Sequence, residues 1–256
     1  MRTQLKLLLS LCIFGGLFTG CASGPELDKY PRREIDRPYT LPKGVAAWHI
    51  PGGYTNTVSN SAPAASAGLI YPLVWESSLS DDWNLIWFPI PLGVSHQIMN
   101  TDKTRLGFSF LSGFGYGSSQ GWFFSPTLSV SDRHKISNDI AIEVTPSVAF
   151  DITTGGGPVR WAANVSTGPV LQLSDEFALK YSLVLGVANG KDVMSGFQDS
   201  SSVPVGVTSF NMGMGMSAVW SFARQWDFRP SYSYSGIGSQ NGQQNNTLFA
   251  DIVYFW

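Results

Sequence analysis

The chain has 256 residues, with 16 Lys or Arg against 18 Asp or Glu, a net charge of −2. That balance gives no support for nucleic-acid binding, which rests on neutralising phosphates. Charged residues make up 13% of the chain, against about 25% in water-soluble proteins, while aromatics reach the same 13% and glycine counts 27.

The first element is a leader. Arg2 and Lys6 precede an apolar stretch from Leu7 to Phe18, which falls short of the roughly 20 residues of a membrane-spanning helix. It has the layout of an export signal. Leu17-Phe18-Thr19-Gly20-Cys21 then resembles the lipobox of bacterial lipoproteins, with Phe18 where that family generally has Leu. The resemblance implies a signal peptide over 1–20 and a covalent lipid on Cys21. Cleavage after Ala22 is the alternative. If Cys12 leaves with the signal, no thiol pair remains for a disulfide or a metal cluster. Ala22, not Asp, after the cysteine resembles enterobacterial lipoproteins sorted to the outer membrane.

Residues 22–43 contain Pro25, Pro31, Pro38 and Pro42, with eight charged residues between the first and last of them. Such proline density disfavours helix and ladder alike. Residues 52–67 are rich in Gly, Asn, Ser and Ala and read as poorly structured. The span 21–67 is therefore expected to be an extended tether, with the barrel domain over 68–256.

From residue 105 onward, apolar and polar residues alternate with period two. Leu106, Phe108 and Phe110 oppose Arg105, Gly107 and Ser109, with Leu111 an exception. Seven further stretches do the same: 122–131, 140–153, 159–172, 177–187, 210–222, 226–234 and 248–256. The second face is small or polar, largely Gly and Ser in the first stretch as in a narrow lumen, and in the last stretch Phe249, Val253 and Phe255 blur it. Stretches 68–77 and 83–97 add two possible strands, the second weakened by Pro89 and Pro91. Pro126, Pro146, Pro169 and Pro230 fall inside strands and should each cost a ladder bond, so rims or bulges are their expected places. Each of the eight is long enough for the roughly 9–11 residues with which a tilted strand crosses hydrocarbon. The expected fold class is thus all-β, an antiparallel transmembrane barrel of 8 to 10 strands.

Counting back from the C-terminus, connections run long (Gly236 to Asn246), short (Ala223 to Gln225), long (Asn189 to Val203) and short (Ser174 to Glu176). Outer-membrane barrels have long outer loops and short periplasmic turns. The last strand ends on Trp256 behind Tyr254 and Ile252. This resembles the C-terminal signal of outer-membrane barrels and implies the barrel-assembly machinery and outer-membrane lipids as partners.

The inward face is expected to gather Arg105, Arg160, Lys180 and Arg229 with Glu143, Asp151, Asp227 and Asp251. Such a set makes either a selectivity lining or a salt-bridged plug, since charges in a narrow lumen need partners. The histidines, His49, His96 and His134, form no nucleophile–base pattern. Outer-membrane lipid A deacylases pair His with Ser on one strand, and no histidine here has Ser two residues on in a convincing strand. Met212, Met214 and Met216 read as apolar filler, not soft metal ligands. The function expected is a non-enzymatic outer-membrane barrel lipoprotein without a cofactor, acting as a narrow pore or as an envelope structural or surface-binding protein. The alternatives are a lipid-anchored periplasmic β-sandwich and a membrane-embedded lipid-modifying enzyme.

Overall fold

Alternating side chains make the chain pleat with one apolar and one polar face, and a sheet with two such faces can close on itself. In the computed structural model, the residues described are 27–58, 64–68, 74–87, 92–117, 121–153, 159–189, 208–237 and 244–256. Their strands are β1 (Ala46–Val58), β2 (Ala64–Gly68), β3 (Val74–Ser80), β4 (Trp83–Trp87), β5 (Leu92–Asn100), β6 (Thr104–Gly117) and β7 (Gly121–Lys135). They continue with β8 (Ile140–Thr153), β9 (Arg160–Gln172), β10 (Phe177–Asn189), β11 (Thr208–Ala223), β12 (Trp226–Ile237) and β13 (Gln244–Phe255).

Every pairing is antiparallel, and β1 closes the ring on β13 with Ala47 opposite Phe255 and Val58 opposite Gln244. Reciprocal Ala46–Trp256 backbone bonds of 2.9 and 3.0 Å finish that seam. Both β2 and β3 pair with β1, so they share one position, and the barrel has 12 staves among the described residues. The step from His49 to Gly53 on β1 faces a longer step from Val74 to Gly68, which breaks the register between the two halves.

The 8 to 10 strands expected from the sequence are therefore too few. The stretch 83–97 holds two paired strands, β4 and β5, and both β1 and nearly all of β2 lie in the span expected to be tether. Pro51-Gly52-Gly53 in the middle of β1 interrupts the apolar alternation of Trp48, Ile50 and Tyr54, which conceals the strand. Residues 1–26, which include the expected signal peptide and Cys21, lie outside the described residues, as do most of the connections at the far end of the barrel.

The apolar face points outward. Leu183 (41% exposed), Met214 (49%), Trp220 (50%) and Leu248 (57%) stand on the outer surface. A sandwich would bury this face between sheets, so the sandwich alternative is set aside. Ser95, Gln97, Arg105, Arg133, Ser221 and Asp227 lie on the other parity and are buried. The connections described between strands are all short and all at one end: 81–82, 101–103, 136–139, 173–176 and 224–225. Val45 and Trp256 are at this same end, called the turn end below.

The four mid-strand prolines share the outward parity. Beside each, pairing lapses with one neighbour only: Pro126 and Pro146 between β7 and β8, Pro169 between β9 and β10, Pro230 between β11 and β12. Losing the donor thus costs one edge of the ladder and not the strand. Gly168, next to Pro169, lies so close to β10 that a Cβ would overlap the Tyr181 carbonyl oxygen.

Residues 27–45, expected as part of the tether, instead fold back into the turn end of the barrel. Two 3-10 turns, Leu27–Lys29 and Glu34–Asp36, form there. Leu27, Leu41 and Val45 pack on Ala47, Val253 and Phe255. Ile35, with no exposed surface, packs on Ala141 and Val170. Val253 and Phe255 blur the polar face of the last strand because they form the apolar seat of this plug.

Candidate functional site

The site is the lumen around the plug. Inward positions of β7, β8, β10 and β12 are separated by whole turns of sequence, yet pairing brings Arg133, Glu143, Lys180 and Asp227 to one level. Asp227 is 1% exposed and Arg37, from the plug, has a side chain 5% exposed. The Arg37 guanidinium donates to both Asp227 carboxylate oxygens at 2.5 and 3.1 Å and to Ser221 Oγ at 2.8 Å. Ser221 donates to Asp227 at 2.7 Å, and Arg229 Nη2 lies 2.8 Å from Asp227 Oδ2. A buried carboxylate with that many donors has its lone pairs met, which makes its burial tolerable.

Beside this cluster is a four-charge ring. Glu34 of the plug meets Arg133 at 3.1 Å and Lys180 at 3.5 Å, while Glu143 meets the same two cations at 2.6 and 3.1 Å. Each cation is shared by one carboxylate from the wall and one from the plug. Burial by itself would push the Glu34 carboxyl up, but Arg133, Lys180 and Arg37 outweigh it and hold the group well below the usual carboxylate range. Tyr30 is pushed up to about 12 by burial, against the opposing pull of Arg37. The Tyr39 hydroxyl, 3.4 Å from Glu143, is raised too, by burial and then by that carboxylate.

More anchors hold the plug at the rim. Arg33 reaches Asp139 at 2.6 Å, Arg32 reaches Glu176 at 3.3 Å, Arg224 reaches Asp28 at 3.4 Å and Lys135 pairs with Asp36. The Ile35 and Tyr39 amides donate to Gln172 and Gln97 at 3.1 and 2.5 Å.

Two cavities flank the plug. One, of about 200 Å³, runs between the plug and the wall and touches His49, Glu76, Arg229 and Lys180. The other, of about 210 Å³, is lined by Glu143, Lys180 and a crescent of serines on β9 to β12. Lys180 lines both. The four-charge ring therefore stands between the two spaces.

Of the eight lumen charges expected from the sequence, Glu143, Lys180, Asp227 and Arg229 converge on the plug. Asp251 is set apart, 2.8 Å from His49 Nδ1, with Glu76 on the other ring nitrogen at 3.5 Å. Asp151 accepts from Ser125 at 2.6 Å and is opposite Arg160 toward the far end. Arg105 is buried at the turn end, its Nε and Nη1 without a hydrogen-bond partner among the described residues. Sequence reasoning missed Arg133, Lys135, Glu76, His49 and every plug residue. Extending the alternation from Ser131 through Arg133 and Lys135 would have found two of them.

The other histidines are elsewhere. His96 points outward, stacked on Trp83 with ring centroids 4.2 Å apart, and His134 is exposed beside Thr104 Oγ1 at 3.0 Å. The methionine stripe is as read: Met214 and Met216 are on the outer surface.

No family model matches the chain, and no curated protein matches it. Solved structures similar to it include the NanC porin, 10% identical, with a TM-score of 0.49 over 81% of this chain and 98% of that one. The translocator domain of the autotransporter NalP from Neisseria meningitidis is 11% identical, with a TM-score of 0.47 over 82% of this chain and 87% of that one. The outer membrane channel DcaP of Acinetobacter baumannii is 9% identical, with a TM-score of 0.38 over 83% and 97%.

Proposed function

We propose that the chain is a non-enzymatic outer-membrane barrel lipoprotein that acts as a narrow pore, closed from its periplasmic side by residues 27–45. The outward apolar face fits acyl chains, and a barrel satisfies every backbone group without water. The short-turn end faces the periplasm in this reading, with the Cys21 lipid in the inner leaflet beneath it. Trp256, on the closing strand, would be read by the barrel-assembly machinery.

The observation that carries the pore is the pair of cavities meeting at Lys180. A lumen packed throughout by side chains would be structural only. This one has open space on both sides of a removable barrier, because the barrier is partly made by Glu34 and Arg37 of the plug.

Conductance in planar bilayers tests the reading. The native protein should pass little current, and the double substitution Glu34→Ala, Arg37→Ala should raise it several-fold. A double variant that keeps its barrel, seen as heat-modifiable migration, yet stays closed would make the barrel a scaffold and not a pore.

A further inference from the structure

We infer that the serine crescent above the plug is a binding site for a small uncharged polyhydroxylated solute, of the size of one monosaccharide. The inference rests on the pore reading only for its biological sense; the site itself stands on geometry. Five hydroxyls, on Ser166, Ser182, Ser217, Ser231 and Ser233, face the same cavity of about 210 Å³, and none has a hydrogen-bond partner among the described residues. Thr145, the other aliphatic hydroxyl of the lining, already donates to Ser131 at 3.1 Å.

Register explains the crescent. Ser217 on β11 is opposite Ser231 on β12, and Gly215 lies between Ser182 and Ser233 on its two neighbours. The glycine keeps the wall open: a Cβ there would come within 2.7 Å of Ser182 Oγ. Ser231 and Ser233 are two apart on one strand, so their side chains project on the same face.

The chemistry selects the solute. A hydroxyl donates one hydrogen bond and accepts two, so a wall of serines matches a ligand whose own groups do both. A polyol does so at every carbon. The charges at the floor are already committed, Lys180 to Glu143 at 3.1 Å and to Glu34 at 3.5 Å. A carboxylate or ammonium ligand would enter without a counter-charge and lose its hydration, which a narrow lumen makes costly. The volume has room for about seven waters at about 30 Å³ each, enough for one sugar ring. Because Lys180 is both floor and plug anchor, a solute in the crescent would touch the ring that holds the plug.

The test uses the full-length protein in a sugar-free detergent such as LDAO, with D-glucose as the probe read by saturation-transfer NMR and calorimetry. Saturable binding is expected in the native protein, weakened at least tenfold by the triple substitution Ser182→Ala, Ser217→Ala, Ser231→Ala. The pair Ser109→Ala, Ser129→Ala should bind as the native protein does, since those hydroxyls bond each other at 2.7 Å in another part of the lumen. D-glucuronate and D-glucosamine should bind more weakly than glucose. Absence of saturable glucose binding, equal loss in both sets of variants, or tighter binding of either charged sugar would overturn the assignment. Glucose binding by the native protein with the Glu34→Ala, Arg37→Ala variant still closed would leave the site standing and remove the pore; an open variant without glucose binding would do the reverse.

Discussion

At the scale of single residues, the plug is held by buried ion pairs that it shares with the barrel wall. Removing one member of a buried ion pair leaves the other charge desolvated and costs about 3–5 kcal/mol. Arg37→Ala leaves Asp227, 1% exposed, with Arg229 and Ser221 alone. At about 3 kcal/mol the undocked population of the plug should rise about 150-fold. Limited proteolysis of the 27–45 segment measures it, since the barrel should stay resistant and only the plug should be cut faster. The pH dependence has a definite sign. Glu34 is lowered on docking, so its contribution is complete above the undocked value near 4.5 and is lost as pH falls toward the docked value. Plug protection should be flat between pH 7 and 5. Below about 4.5 Glu34 should weaken it by up to tenfold per pH unit, and Glu34→Gln should make that slope shallower. A decline already visible at pH 6 would show that some other group governs the plug.

At the scale of elements, the strands obey one parity along their whole length, and that makes the two faces separately testable. Leu183, in β10, is 41% exposed on the outer surface, while Ser182 beside it lines the inner cavity. Leu183→Arg should cost about 2–4 kcal/mol if it faces the hydrocarbon midplane, read as a shift in urea refolding into lipid vesicles. Refolding unchanged by the arginine would mean that this face meets water. Parity is also why so much of the architecture could be read from the sequence. From β6 to β13, apolar residues recur at every second position, and strand, face and turn order all follow. The β1–β5 half was harder, because Pro51-Gly52-Gly53 blanks three positions of one strand and the sequence 83–97 reads as one interrupted run where β4 and β5 are two strands. The plug could not be read at all. Glu34, Asp36 and Arg37 look like a solvated charge run until Arg133, Lys180 and Asp227, about 100 to 190 positions away, are known to face them. Local periodicity reports which side a residue faces, but not which distant charge lies across the lumen.

At the scale of the whole molecule, the proposed lipid and the barrel are two independent attachments to one membrane, and they make different demands. A covalent lipid on Cys21 would hold only the N-terminus at the membrane surface, whereas an embedded barrel is held by its entire outer face. That face carries Trp122, Leu128, Phe150, Val165, Leu185, Phe222 and Ile252, all exposed and spread over β7 to β13. Cys21→Ala with a signal-peptidase site restored should therefore stay in the outer-membrane fraction and come out only in detergent as a folded, heat-modifiable protein. The lipid instead bears on the plug. Cys21 precedes Leu27 by so few residues that the chain between them spans at most about 21 Å. Anchoring it would therefore confine the plug to the neighbourhood of the turn-end rim, tethered on one side by lipid and on the other by β1. Without the lipid, one tether is lost and the plug gains conformational freedom when undocked, so its protection should fall modestly while the barrel stays put. Recovery of the Cys21→Ala protein as a folded, detergent-free soluble species would contradict the embedded barrel. An unaltered plug in a correctly membrane-inserted variant would contradict the second tether alone.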